Sequence, residues 1–344
     1  MARANVLKKL LRSYQRHDDR AFREVVAQII EEERRKHHPV LANELEQIIN
    51  NGNGSENRAS RNGFTLYDRP PQDADKGVSL LEVRQPDRYF YDLVLDATIA
   101  KLLNRLVYEF RSWEILEANG LSPTRRVLFC GPSGCGKTVA AEAIASELGL
   151  PMLYVRFDAV VSSLLGETAS NLQKVFDYAR RGQWVMFFDE FDAIGRSRDD
   201  PTEHGEIKRV VNSFLQILDN YQGRSLVIAA TNFERSIDPA IWRRFDDIIR
   251  FEKPSAEQLK RLIEKRLKPF QFTTPQVKQL VNSLEGATYA DAERVCLDIR
   301  KMGTLEGRRK VQKQDIADAL DRYAYRRAIF QRSMEDAMPM VDKD

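Results

Sequence analysis

Gly131-Pro-Ser-Gly-Cys-Gly-Lys-Thr138 fits the pattern G-x-x-x-x-G-K-[ST], a phosphate-binding loop. Immediately before it, Arg126-Val-Leu-Phe-Cys130 is an apolar run of strand length. Immediately after it, Val139 to Leu148 is an Ala-rich helical stretch. Strand, loop and helix follow in the order that such a loop requires. In the loop that runs on from Pro132, the backbone N–H groups of Ser133, Gly134, Cys135 and Gly136 converge on phosphates, and the helix opening through Val139 adds its dipole. Lys137 reaches the β- and γ-phosphates, and Thr138 offers a hydroxyl to Mg²⁺. The loop predicts a bound nucleoside triphosphate but leaves its use open.

Working outward, strands and helices alternate from about residue 90 to 253. Strands are expected at 127–130, 152–156, 184–188, 225–230 and 247–251, and a helix at 96–118. This alternation predicts an α/β fold, a parallel sheet with helices on both faces. After Pro254 the pattern is wholly helical, with helices at 256–267, 275–283, 289–301 and 313–325, so a helical lid follows the sheet. Residues 3–50 carry three further apolar stripes at helical spacing. The polar, Asn- and Gly-rich stretch beginning at Asn50 reads as a flexible linker. The expected organisation is a helical N-terminal docking domain at 1–50, a linker at 51–77, an α/β domain at 78–253 and a lid at 254–344.

Beyond the loop, Val185-Met-Phe-Phe-Asp-Glu190 is a buried strand that delivers two carboxylates to the sheet edge where ligands gather. Asp189 is the expected partner of Mg²⁺, directly or through water, and Glu190 the expected base for an attacking water. Leu226-Val-Ile-Ala-Ala-Thr-Asn232 ends another strand in an asparagine suited to the lytic water or the γ-phosphate. Arg243 and Arg244, ahead of the last strand, are suited to neutralise charge on a transferred phosphoryl group in a neighbouring subunit.

Composition narrows the alternatives. Lys and Arg number 54 against 51 Asp and Glu, a formal charge of +3, which argues against a nucleic-acid partner. The sequence has no apolar run of about 18 residues and no signal-peptide pattern, so no membrane partner is expected. The 3 cysteines, at 130, 135 and 296, form no C-x-x-C pair, and a reducing cytoplasm is the expected compartment. The 4 histidines assemble no protease motif.

Taken together, the loop at 131–138, the acidic strand at 185–190, Asn232 and the segment Trp242-Arg-Arg-Phe-Asp246 resemble the AAA-type ATPases, in the protein-remodelling branch. Gly286-Ala-Thr-Tyr-Ala-Asp-Ala292 is similar to that family's lid signature, although Ala290 stands where some related families carry an arginine. The resemblance spans roughly 90–325. It implies ATP and Mg²⁺ as cofactors, hydrolysis to ADP and phosphate, and a homo-oligomeric ring, usually a hexamer. It further implies that Arg243 and Arg244 act in trans and that Leu93 and Val94 flank the adenine.

Members of the remodelling branch grip polypeptide with an aromatic–aliphatic–Gly pore loop. The matching residues here are Leu164, Leu165 and Gly166, so leucine replaces the aromatic and offers less flat contact area. A second pore-facing loop is expected at 195–201, with a helix from Gly205. The leading expectation is an ATP-driven remodeller or unfoldase that recruits a protein client through residues 1–50. The alternative is an ATP-gated switch or scaffold regulating a partner such as a peptidase. A nucleic-acid-associated motor is a third and weaker reading.

Overall fold

The computed structural model describes Val25 and residues 69–73, 76–160, 165–191, 201–232 and 239–336. The chain divides into two compact units, Met1–Leu66 and Tyr67–Asp344, and the second holds the sheet and the helices packed around it. The three expected N-terminal helices and most of the linker lie outside the described residues, as do Leu164 and most of the 195–201 loop.

The first described elements are β1 (Leu81–Arg84), α1 (Ala97–Arg111), α2 (Trp113–Ala118), β2 (Arg126–Cys130) and α3 (Lys137–Leu148). Next come β3 (Met152–Val155), α4 (Phe157–Val160), α5 (Leu165–Ala179), β4 (Val185–Phe188) and α6 (Pro201–Asn220). β5 (Leu226–Thr231), α7 (Pro239–Trp242) and β6 (Asp247–Arg250) complete the sheet region. Four helices follow: α8 (Ala256–Leu267), α9 (Thr274–Ser283), α10 (Tyr289–Leu305) and α11 (Lys313–Asp336).

The strand order is β1-β3-β4-β5-β2-β6. Every neighbouring pair is parallel except β1 with β3, where Leu81 faces Val155 and Arg84 faces Met152 in antiparallel register. The five strands expected from the sequence form the parallel sheet, and β1 is added to it antiparallel at one edge. β1 is not reached through a crossover helix; it comes from the segment ahead of α1 and covers the otherwise unpaired edge of β3.

Period-2 alternation explains why both faces are covered. In β4, Met186 and Phe188 enter the core formed with α5 and α6, while Val185 and Phe187 enter the core formed with α1 and α3. Fully buried aromatics dominate the first core, where Phe188 packs edge-on to Phe214 with ring centroids 5.2 Å apart. The lid has its own core, built on Leu259, Ile263, Leu280, Val295, Cys296 and Ile299. The three cysteines are buried free thiols.

Three local departures have physical causes. The single helix expected at 96–118 breaks at Ser112, whose backbone sits at φ −91°, ψ 19°, so α1 ends there and α2 starts on a new axis. Helix α6 begins at Pro201 rather than Gly205, because proline is suited to a first helical turn. Ahead of β1, residues 71–73 pair back with residues 76–80: Leu80 N–H donates to Pro71 O at 2.9 Å and Asp73 N–H to Val78 O at 2.9 Å. The Asp73 carboxylate is buried and accepts from Asn171 Nδ2 on α5 at 2.7 Å and from Lys76 N–H at 2.8 Å. A buried carboxylate is tolerable only with such partners, so the segment leading into the sheet is pinned to α5.

Candidate functional site

The phosphate loop connects the C-terminal end of β2 to α3, and its backbone leaves room only for glycine at its tightest points. At Gly131, φ is +132° and a Cβ would lie 2.0 Å from the Phe251 carbonyl oxygen. At Gly134, φ is +74° and a Cβ would meet the Thr288 hydroxyl at 2.9 Å. The lid closes on the loop at this point: Ala290 N–H, in the first turn of α10, donates to Gly134 O at 3.1 Å. The residue that stands in the place of a lid arginine thus contributes its backbone amide.

Lys137 is 6% exposed. Its ammonium donates to Gly131 O at 2.7 Å, Pro132 O at 3.0 Å and Asn232 Oδ1 at 2.9 Å. The cation is thereby joined to the end of β5, so the loop and the polar residue after that strand form one constellation. Thr138 Oγ1 donates to Asp189 Oδ2 at 3.0 Å, and Glu190 N–H donates to Asp189 Oδ1 at 2.9 Å. β4 and β5 are direct neighbours, and β2 lies on the other side of β5, so parallel pairing alone brings these strand ends together.

Glu190 is exposed and has φ +51°, the one positive φ at a non-glycine residue among those described. For an L-residue this conformation costs on the order of 1–2 kcal/mol. It is held by the Asp189 contact and by Phe191 N–H donating to Ala230 O at 2.8 Å. The strained backbone turns the carboxylate at the strand end into solvent rather than into the core.

Beside the loop lies a cavity of about 700 Å³ whose walls include Leu93, Val94, Ile99, Cys135, Val139 and Tyr289. Leu93 packs with the sheet-side core and Val94 with the lid core, so the two residues named for the adenine straddle the seam between them. Cys135 and Gly136 belong to both loop and cavity. Burial pushes the Cys135 thiol up and the Tyr289 phenol to about 12, so both walls are uncharged at neutral pH.

The donor set fits the groups the loop implies. A cavity of this size, with apolar residues among its walls, charged groups such as Arg88, Asp92 and Lys253 beside them and an adjoining cationic cradle, suits a purine nucleotide. The Thr138 hydroxyl and the Asp189 carboxylate are hard oxygen donors of the kind Mg²⁺ takes alongside phosphate oxygens and water.

Arg243 and Arg244 are not brought to this constellation. They lie exposed in the turn between α7 and β6. Arg244 pairs with Asp219 on α6, and its carbonyl accepts from Arg126 at 3.5 Å. Asp246 Oδ2 accepts from the backbone amides of Arg125 and Arg126 at 2.9 and 3.0 Å. The arginines therefore sit at the N-terminal end of β2, separated from the loop by a strand spanning about 13 Å. Leu165 and Gly166 open α5, and Leu164, just before it, lies outside the described residues.

One contributor was missed in the sequence. The Tyr154 hydroxyl donates to Asp189 Oδ2 at 3.3 Å, and the Arg84 guanidinium lies 3.6 Å from the Tyr154 ring centroid. Burial pushes the Tyr154 phenol up and the charge of Asp189 adds to this. The available signal was a hydroxyl-bearing aromatic near the end of an otherwise apolar strand.

Comparison with known proteins agrees with this geometry. The family profile described as "ATPase family associated with various cellular activities (AAA)" matches residues 127–253, from β2 to just past β6. The chain is 43% identical over 328 residues to an uncharacterised AAA family ATPase, y4kL, of Sinorhizobium fredii, covering 95% of this chain and 97% of that protein. It is 30% identical over 278 residues to a proteasome-activating nucleotidase of Saccharolobus islandicus, covering 78% and 71%. A proteasome-activating nucleotidase of Thermococcus gammatolerans is 27% identical over 278 residues, covering 78% and 70%. With the phosphate loop, the acidic strand end and the lid contact in place, these similarities lead to one conclusion: the chain belongs to the AAA family of ATPases.

Proposed function

We propose that this AAA ATPase hydrolyses ATP with Mg²⁺ at a site shared between copies in a homo-oligomeric ring, usually a hexamer in this family, and uses the cycle to remodel or unfold a protein client. The observation that carries the reading is the separation along β2. Lys137, Thr138, Asp189, Glu190 and Asn232 gather at one end, and Arg243 and Arg244 stand at the other. Arginines so placed suit a neighbour's phosphates better than their own chain's.

In this reading the loop amides and Lys137 hold the triphosphate, while the cavity beside Leu93 and Val94 receives the base. Thr138 and Asp189 would hold Mg²⁺, which neutralises charge on the β- and γ-phosphate oxygens. Asn232 orients the attacking water, and the Glu190 carboxylate takes its proton as the water oxygen bonds to the γ-phosphorus. The bond to the β-phosphate oxygen breaks and ADP leaves with that electron pair. The partner copy's arginine stabilises the charge developing during transfer.

Two of the relatives are proteasome-activating nucleotidases, which favours a protein-directed role. Residues 1–50 would dock the client or a partner, on a linker at 51–77 that leads to the ATPase region at 78–253 and the lid at 254–344. No helix among the described residues is long and apolar enough to cross a membrane. The buried free thiols suit a reducing compartment, and we place the protein in the cytoplasm.

The test mixes two dead proteins. Glu190→Gln should bind ATP and lower turnover by roughly two to four orders of magnitude. Arg244→Ala should be inactive as well, yet mixed rings should regain activity where an intact Glu190 meets an intact arginine. Absence of any recovery, with assembly verified, argues against a shared site. Leu164→Ala should abolish unfolding of a tagged client; surviving client processing would favour the switch reading, to which leucine in place of the pore aromatic already lends weight.

A further inference from the structure

The loop, the acidic strand end and the asparagine account for the groups that touch the nucleotide, but not for how the Asp189 carboxylate is held in one orientation. A carboxylate rotates broadly about its last bond, so its direction depends on hydrogen bonds to both oxygens. One oxygen, Oδ1, is fixed by the neighbouring Glu190 amide at 2.9 Å. The other, Oδ2, accepts from the Thr138 hydroxyl at 3.0 Å and from the Tyr154 hydroxyl at 3.3 Å. Thr138 is itself assigned to the metal, so Tyr154 is the donor on that oxygen with no other duty.

Tyr154 is in turn held from two sides. On the sheet, its ring packs on Phe187 of the adjacent strand with centroids 5.9 Å apart. From the edge, Arg84 of β1 stacks over the ring, with its guanidinium carbon 3.6 Å from the centroid. Arg84 is oriented by Glu82, whose Oε2 accepts from Arg84 Nε at 3.0 Å and from a terminal guanidinium nitrogen at 2.7 Å. In the antiparallel register Glu82 faces Tyr154, so residues two apart on β1 place both charged groups on the face that carries the phenol. A cation over the ring draws electron density from it and strengthens the hydroxyl as a donor.

We infer that Tyr154 is a positioning residue for Asp189 and that Arg84, on the added edge strand, seats Tyr154, so that β1 takes part in shaping the metal-binding end of the site. This rests on the proposed ATP- and Mg²⁺-binding site. Its distinctive consequence is on metal-assisted nucleotide binding rather than on nucleotide binding as such. An outer partner of a metal-binding carboxylate acts on the metal, while the loop amides and the cavity hold the nucleotide without it.

The experiment measures the affinity of the full-length Glu190→Gln protein for a fluorescent ATP analogue, in EDTA and in Mg²⁺. Adding Tyr154→Phe should leave affinity in EDTA unchanged and reduce the gain from Mg²⁺ by about tenfold. Arg84→Ala should act in the same direction by a smaller factor, and Arg84→Lys, which keeps a cation near the ring, should recover part of the loss. An unaltered Mg²⁺ gain in Tyr154→Phe, or an equal loss of affinity with and without Mg²⁺, would overturn the inference. Asp189→Asn is the control that separates the two levels. If it too leaves the Mg²⁺ gain intact, the metal assignment itself fails; if it removes the gain while Tyr154→Phe does not, only the role of Tyr154 fails.

Discussion

At its C-terminal end β2 runs into a loop whose groups are already tied to one another: Lys137 to Asn232, Thr138 to Asp189, and Gly134 to the lid. At its N-terminal end the same strand meets Arg244, Asp219 and Asp246, with Glu109 nearby holding Thr124 at 2.7 Å. The first end is enclosed, with Lys137 almost fully buried; the second presents two exposed arginines. A buried constellation pre-organises chemistry, whereas an exposed cation gains little until something covers it. On the function proposed above, one strand would supply two half-sites facing in opposite directions along its length.

The largest expected effect breaks the exposed end. Arg243→Ala and Arg244→Ala should each lower ring turnover by about a thousandfold. Neither should weaken ATP binding by dilute, unassembled chains, measured with a fluorescent analogue. A loss of affinity in the monomer would mean the arginine serves its own chain's site, and the contrast between the two ends would collapse. The two variants should also differ: Arg244→Ala removes one of the two arginines paired with Asp219, Arg126 being the other, and should lower the melting temperature slightly, and Arg243→Ala should not.

A smaller effect breaks the enclosed end. Gly131→Ala would force a Cβ against the Phe251 carbonyl, at a φ that L-residues rarely adopt, so loop and β6 must separate. A stability loss of about 2–4 kcal/mol is expected, read by urea unfolding, together with loss of nucleotide binding. Wild-type stability in this variant would show that the loop is not clamped by its neighbour strand.

The smallest effect distinguishes the ends by acid. Burial pushes the Glu109 carboxyl up, but the Arg105 guanidinium and the hydroxyl and amide of Thr124 outweigh it and hold the group below its ordinary range. A depressed folded pKa gives stability that is present above the unfolded value, about 4.3, and is lost as pH falls through the folded one. Melting temperature should therefore decline below about pH 4. Glu109→Gln should flatten part of that decline and cost about 1 kcal/mol at neutral pH. A decline of unchanged steepness would assign the acid sensitivity elsewhere.

Legibility in the sequence tracks the range of the interactions involved. The loop at 131–138 is local: its glycines, lysine and threonine are consecutive, and the flanking strand and helix announce themselves by period. Asp189, Glu190 and Asn232 were legible because each ends an apolar run, and parallel strands next to the loop leave their ends at one edge. Leu93 and Val94 were named only through family resemblance, and they do line the cavity beside the loop. Regular structure was legible around 78–83, but nothing local announced that these residues form the antiparallel β1, a strand of four residues whose partner, β3, lies beyond three helices, β2 and the loop. The Arg84–Tyr154–Asp189 contacts and the Asp73–Asn171 pair were hidden for the same reason, since they depend on that pairing and on burial. The break at Ser112 escaped because the apolar stripe continues across it.

The pairing of residues 71–73 with residues 76–80 has a mechanical consequence. Tension applied at residue 69 would load the Pro71–Leu80 and Gln72–Ser79 contacts at the head of β1 together with the Asp73–Asn171 pair. That pair delivers the load to α5, the helix that opens with Leu165 and Gly166. The chain entering at residue 69 is thus fastened at two points, to α5 through Asp73 and to the residues that lead into β1 through Pro71 and Gln72, so a pull there is shared between helix and sheet edge.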